Sequence, residues 1–195
     1  MPNPETKAGL PILAFESRAA LEAWLEQQGR SSQGFWLRLA KKDSALASVS
    51  KAEAIDAALC FGWIDGQLDK YDEASWLMRM TPRRPRGKWS ERNKVRAQEL
   101  IAEGRMRPQG LAEVEAAKAD GRWDAAYAPQ SRAEVPPDLR VALDANPQAA
   151  SFFATLKGAN RYAILYRIGE AKKPQTRAAR IAKFVAMLER GETLH

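Results

Sequence analysis

The sequence predicts an α+β protein, a small, mostly antiparallel sheet with packed helices followed by a C-terminal all-helical module. Three observations carry this expectation. Short runs before Thr81 alternate apolar and polar residues, as strands with one buried face do. From Ser90 onward the apolar residues instead recur at three- and four-residue spacings behind capping residues, the helical pattern. Between the two textures, residues 128–137 hold Pro129, Pro136 and Pro137 among polar neighbours, which marks a linker. The expected organisation is an α+β domain over 10–127, a Pro-rich linker over 128–137 and a helical module over 138–191.

The elements follow in order. Leu10 to Phe15 reads as a short edge strand, because Pro11 cannot donate to a ladder. Ser17 can cap a helix whose Leu21, Trp24 and Leu25 share a side, with Gly29 in the stop position. In Gly34 to Lys42, Phe35, Leu37 and Leu39 alternate with Trp36, Arg38 and Ala40, as in a strand. Ser50-Lys51-Ala52-Glu53 is a capping box opening a helix that Gly62 ends. Trp63 to Leu68 and Ser75 to Thr81 read as paired strands joined by residues 69–74, although Asp65-Gly66 is a competing turn signal. Ser90 caps Glu91 to Glu103, closed by Gly104, and Leu111 to Asp120 is closed by Gly121. Asn146-Pro147 places a cap before proline at the first helical position, and Asn160 can start another helix. The last helix, about Pro174 to Arg190, aligns Ile181, Phe184, Val185 and Leu188.

Composition excludes more than it identifies. Of 195 residues, Cys60 is the only cysteine, which removes intrachain disulfides and CxxC sites, and the only histidine, His195, is the last residue, where chains fray, which removes HExxH zinc sites and speaks against Ser-His-Asp and Cys-His arrangements. No GxxxxGK[ST] loop or GxGxxG fingerprint occurs. No metal or cofactor is expected. Cys60 falls on an apolar stretch at a helix C-terminus, where the dipole opposes a thiolate, so it reads as core. The longest apolar run, Ala57 to Ile64, is well short of the ~20 residues that span a bilayer, and Met1 to Glu5 lacks the features of a secretory signal, so a cytoplasmic protein is expected.

The charge is concentrated. Lys and Arg number 31 against 24 Asp and Glu, a formal net charge of +7, and the segment 79–96 alone holds eight bases against Glu91. A local surplus of this kind points to an anionic partner. Arg83, Arg84, Arg86 and Lys88 lie in a proline-stiffened loop that leads into a helix start at Ser90, with Asn93 in its first turn. Guanidinium forks and helix N-termini both suit anions, and Trp89 offers a surface for stacking. The alternative is a solvated loop whose arginines pair with local acids while Trp89 is buried. Along the last helix, Lys172, Lys173, Arg177, Arg180 and Lys183 read as a solvated basic face.

Strand alternation suggests a second candidate site. If the polar faces of the three central strands coincide, Trp36, Arg38, Trp63, Asp65 and Arg79 line one ligand pocket. A one-residue slip reverses each assignment, and the alternative is an ion pair of Asp65 with Arg79 or Arg38 among core tryptophans.

The run Ala58-Leu59-Cys60-Phe61-Gly62-Trp63-Ile64-Asp65-Gly66 resembles the central signature of the YdeI/OmpD-associated, or bacteriocin-protection, family. The resemblance continues through Arg79-Met80-Thr81-Pro82-Arg83-Arg84, Trp89-Ser90-Glu91-Arg92-Asn93 and Gly104-Arg105-Met106-Arg107-Pro108-Gln109-Gly110. Pro136-Pro137-Asp138-Leu139 and Ala171 to Ile181 are similar to the family's C-terminal helical module, so the likeness extends from Phe15 to Gly191. It implies a bacterial, non-enzymatic binding or interaction protein linked to envelope stress and antimicrobial-peptide protection, with no catalytic residue set. Two other expectations stand beside it. One is a nucleic-acid or polyanion binder acting through 79–96, and the other a small-anion-binding enzyme or sensor using the Trp63, Asp65 and Arg79 region. The sequence names neither a specific partner nor an oligomeric state.

Overall fold

The computed structural model describes residues 5–28 and 31–194, which fall into two compact units, Met1–Tyr127 and Ala128–His195. The first unit is built on a five-stranded sheet of β1 (Thr6–Lys7), β2 (Leu10–Ala14), β3 (Phe35–Ala40), β4 (Trp63–Lys70) and β5 (Ser75–Pro82), in the order β1-β2-β3-β5-β4. Only the β2–β3 pair is parallel. Parallel neighbours need a crossover, and α1 (Arg18–Gln27) lies within it, started by Ser17, whose side chain accepts from the Ala20 N–H. Gly29, expected to end that helix, lies outside the described residues. Leu10–Ala14 is not an edge strand, because the two-residue β1 pairs along it.

Alternation along β3 and β5 separates two environments. Phe35, Leu37 and Leu39 join Met78 and Met80 in a core formed with α1, α2 (Lys51–Cys60), α3 (Glu91–Ala102) and α4 (Pro108–Ala119). Trp36 and Leu77 face the other way and pack with Leu10. The capping box at Ser50 and Glu53 is present, and Gly62, at φ +74°, follows the end of α2. The β4–β5 connection is shorter than the sequence suggests, since β4 runs on to Lys70. Asp65-Gly66 makes no turn. Its irregularity is absorbed as a shift of register between Asp65 and Leu68, a bulge that lets the strand continue.

Two contacts fix the helices. At Gly110 a Cβ would stand 2.3 Å from the Cys60 carbonyl oxygen and 2.6 Å from that of Leu59, so α4 meets the end of α2 backbone to backbone. Asp56 on α2 accepts from Arg96 Nε and Nη2, both at 2.7 Å, and from Arg105 Nη1 at 3.2 Å, tying α2 to α3 and the turn after it. The bonds from Arg96 hold the Asp56 carboxyl below the usual carboxylate range.

The second unit contains α5 (Pro137–Asp144), α6 (Pro147–Thr155), α7 (Gly158–Gly169) and α8 (Pro174–Glu189) around Leu139, Phe153, Ile164, Ile168, Phe184 and Leu188. Asn146 caps α6 through the Ala149 N–H, and α7 begins two residues before Asn160. The Pro-rich stretch is not bare linker, because it holds a short 3-10 turn (Gln130–Arg132) and packs Ala133 and Val135 on this core. The basic face of α8 is partly structural. Arg177 pairs with Asp138 on α5 through Nε and Nη2, and Arg180 donates to the Arg167 carbonyl.

Gly110→Ala is expected to destabilise the protein by about 2–3 kcal/mol in urea unfolding, whereas Gly169→Ala, at an exposed position with open space around it, changes little. Asp56→Asn is expected to cost about 1–3 kcal/mol at neutral pH. Because the native carboxyl is held low, that contribution is complete above the ordinary carboxylate pKa of about 4 and is lost as pH falls through the lower native value. Unfolding midpoints of the two proteins therefore converge on acidification.

Candidate anion-binding site

The segment that leaves β5 is shaped by one buried arginine. The Arg83 N–H donates to the Gly62 carbonyl at 2.9 Å, anchoring the segment to the end of α2. Its guanidinium lies 3.7 Å from the centroid of the Trp89 ring, and Nη1 donates to the Lys88 carbonyl at 3.3 Å. Arg83 is only 8% exposed, and its Nε and Nη2 find no hydrogen-bond partner. Burial lowers its pKa to about 10, opposed chiefly by the charge of Glu113.

The following loop closes tightly. Arg86 takes a left-handed φ of 61°, Gly87 donates to the Arg84 carbonyl at 2.8 Å, and Arg122 Nη1 donates to the Gly87 carbonyl at 2.7 Å. Asp120 holds the Arg122 guanidinium in place from its other side. The loop and the edge strand β4 bound a cavity of about 310 Å³. Arg79, Arg83, Arg84 and Lys88 line it, with Asp65, Gln67 and Thr81 on the strand side. Arg79 also has a buried Nε without a hydrogen-bond partner. The cavity thus gathers four cationic side chains and unused N–H donors around one carboxylate residue, which suits it to receive an anionic group.

The eight bases of 79–96 do not act as one patch. Arg96 is committed to Asp56, Glu99 and Glu103, and Lys94 stands 3.6 Å from Asp124. Arg86 and Arg92 are exposed and do not line the cavity. Trp89 is not a stacking surface for a ligand, because it is 1% exposed and packed edge-on against Trp123 at 4.9 Å. The helix start is also spent. The Ser90 side chain accepts from the Asn93 N–H at 3.1 Å, and the Glu91 N–H donates to the Tyr127 carbonyl at 2.9 Å. Neither Ser90 nor Asn93 lines the cavity.

The pocket expected on the sheet is divided. Trp36 sits across from Arg79, but its indole N–H is bound to the Lys7 carbonyl at 3.0 Å. Arg38 is held by Ser75 at 2.8 Å and by Asp72 at 2.7 Å, and it lies 5.0 Å from the Tyr71 ring centroid. Trp63 belongs to the helix-side core against Trp24 and Phe35. Of the five residues, only Asp65 and Arg79 line the basic cavity. The expected single polar face fails because the pleat sends Trp36 and Trp63 to opposite sides. Sequence reading missed Arg122 and Glu113, which act on the Arg83 loop from about thirty residues away with no local pattern to mark them. Cys60 is buried, which raises its thiol pKa to about 11, so it is no nucleophile. Among the described residues no group of three or more His, Cys, Asp or Glu could hold a metal, and no helix is long and apolar enough to cross a membrane.

Two families match the chain. Residues 13–113 match the family described as "Domain of unknown function (DUF8412)", and residues 132–191 match "Bacteriocin-protection, YdeI or OmpD-Associated". The likeness read over Phe15–Gly191 is thus carried by the second family in the helical module, while the sheet unit falls to the first. No curated protein and no solved structure matches the chain. The chain belongs to the family of the domain of unknown function (DUF8412), and its helical module is of the bacteriocin-protection, YdeI or OmpD-associated family.

Proposed function

We propose that this protein is a bacterial, cytoplasmic, non-enzymatic binding protein of envelope stress and bacteriocin protection, which holds a small anionic ligand in the basic cavity. The observation that carries the binding role is the convergence of Arg79, Arg83, Arg84 and Lys88 on one concavity, with N–H donors of Arg79 and Arg83 unused. A buried donor left unpaired costs about 1–3 kcal/mol, and a phosphate or carboxylate supplies the missing acceptor. The protective role rests on the family description matched by residues 132–191.

A concave site of this size favours a small anion over a polyanion. Lys94 and Arg96 are engaged with acids of the same chain, and Arg86 and Arg92 lie outside the cavity, so the cations that converge are the four lining a compact concavity rather than an extended track for a phosphate backbone. Duplex DNA bound through about four phosphates would show a salt slope near −3.6.

Replacing Arg84 and Lys88 by Ala, both exposed, is expected to weaken binding of inorganic pyrophosphate by about tenfold or more in calorimetry, since about tenfold is the scale of a single lost charged contact and two are removed. The fold stays intact by circular dichroism, and the wild type shows no duplex DNA binding at physiological salt. A bacterial strain lacking the gene is expected to become more sensitive to cationic antimicrobial peptides, with rescue by the wild type and not by the double variant. Unchanged sensitivity in the deletion strain overturns the protective role, and unchanged pyrophosphate affinity overturns the site.

A further inference from the structure

One carboxylate in the basic cavity has no part in attracting an anion. Asp65 lines the cavity from β4, beside Gln67 and Thr81, and Arg79, Arg83, Arg84 and Lys88 line the same space. Its charge acts on Arg83, yet it forms no hydrogen bond or ion pair with any described residue. Neither of the ion pairs that the sequence allows it is made. Arg38 is taken by Asp72 and Ser75, and Arg79 keeps a buried Nε without a hydrogen-bond partner. An acid and a guanidinium therefore border the same cavity of about 310 Å³ without joining across it.

These unlike groups set a double requirement on whatever fills the space. The open N–H groups of Arg79 and Arg83 need acceptors, whereas an ionised carboxylate only accepts and so needs a donor. An oxyanion stripped of its protons meets the first need and is repelled at Asp65. A phosphate that keeps one acidic O–H meets both, with bare oxygens toward the guanidinium groups and the O–H donated to the carboxylate in a charge-assisted bond. Sulfate has the shape and the double charge of the hydrogen phosphate dianion but no proton to donate. A phosphate monoester loses its last acidic proton near pH 6, by its second pKa of about 6, so in mildly alkaline solution it has none either.

We infer that the cavity selects a phosphate that retains an acidic O–H, with Asp65 as the acceptor that tells hydrogen phosphate from sulfate and from phosphate monoesters. This inference rests on the anion-binding reading above and adds the class of anion.

The test is calorimetric titration of the full chain with inorganic phosphate, sulfate, methyl phosphate and pyrophosphate, in mildly alkaline buffer at matched ionic strength. Inorganic phosphate is expected to bind about tenfold or more tighter than sulfate or methyl phosphate, the scale of one charge-assisted contact. Asp65→Asn is expected to bring the three affinities together, chiefly by strengthening sulfate and methyl phosphate, a gain that loss of fold cannot produce. Asp65→Ala loses the preference as well, while Arg84→Ala weakens all three anions by a similar factor. Equal binding of the three anions by the wild type, or a preference that survives in both Asp65 variants, overturns the role of Asp65 and leaves the basic site standing. Binding of pyrophosphate without inorganic phosphate does the same. If none of the four anions binds, both readings fall.

Discussion

The contact between Arg83 and Trp89 organises the charged end of the sheet unit. Taking a guanidinium out of water costs several kcal/mol, and stacking on an indole returns about 2 kcal/mol of that when the pair is desolvated. The Lys88 carbonyl and the charge of Glu113 offset part of the rest, and burial still outweighs them, as the lowered pKa and the unpartnered Nε and Nη2 show. The same stack joins distant parts of the chain. Arg83 is bonded to Gly62, two residues past α2, Trp89 precedes α3, and Trp123, which packs on Trp89, follows α4. The loop that walls the basic cavity is therefore set by core packing rather than by its own flexible residues.

That arrangement divides the basic residues into two kinds of work. Arg96 and Arg105 gather on Asp56 and hold helices together, and Arg38 does the same for the β3–β5 edge through Asp72 and Ser75. Arg79, Arg83, Arg84 and Lys88 line a cavity instead. Charge committed to an ion pair within the fold is largely screened from any partner, so Arg96 and Arg38 add little to the potential at the cavity. The helical unit repeats the structural use of arginine, since the Arg177 pair with Asp138 clamps α8 to α5.

How much of this was legible depended on the range of the interaction. The caps at Ser17, Ser50, Ser90 and Asn146 were legible because a capping oxygen meets an N–H three residues away. The strand faces of Trp36, Arg38 and Arg79 followed from alternation for the same reason. The pocket that was to unite them with Trp63 failed because β4 joins the sheet in a register that no local pattern specifies. Trp89 offered the same limit, since an aromatic beside arginines suits a ligand surface and a core equally well.

By itself, the sequence determined the helix starts, the alternation of the strands, the scarcity of histidine and cysteine and the location of the excess charge, all properties of residues close in the chain or of composition. Only the tertiary structure decided which arginines are spent on acids and which face a cavity. Their partners, Asp56, Glu113, Arg122 and Trp123, come from remote segments, and burial is a property of what packs around a side chain rather than of the side chain alone.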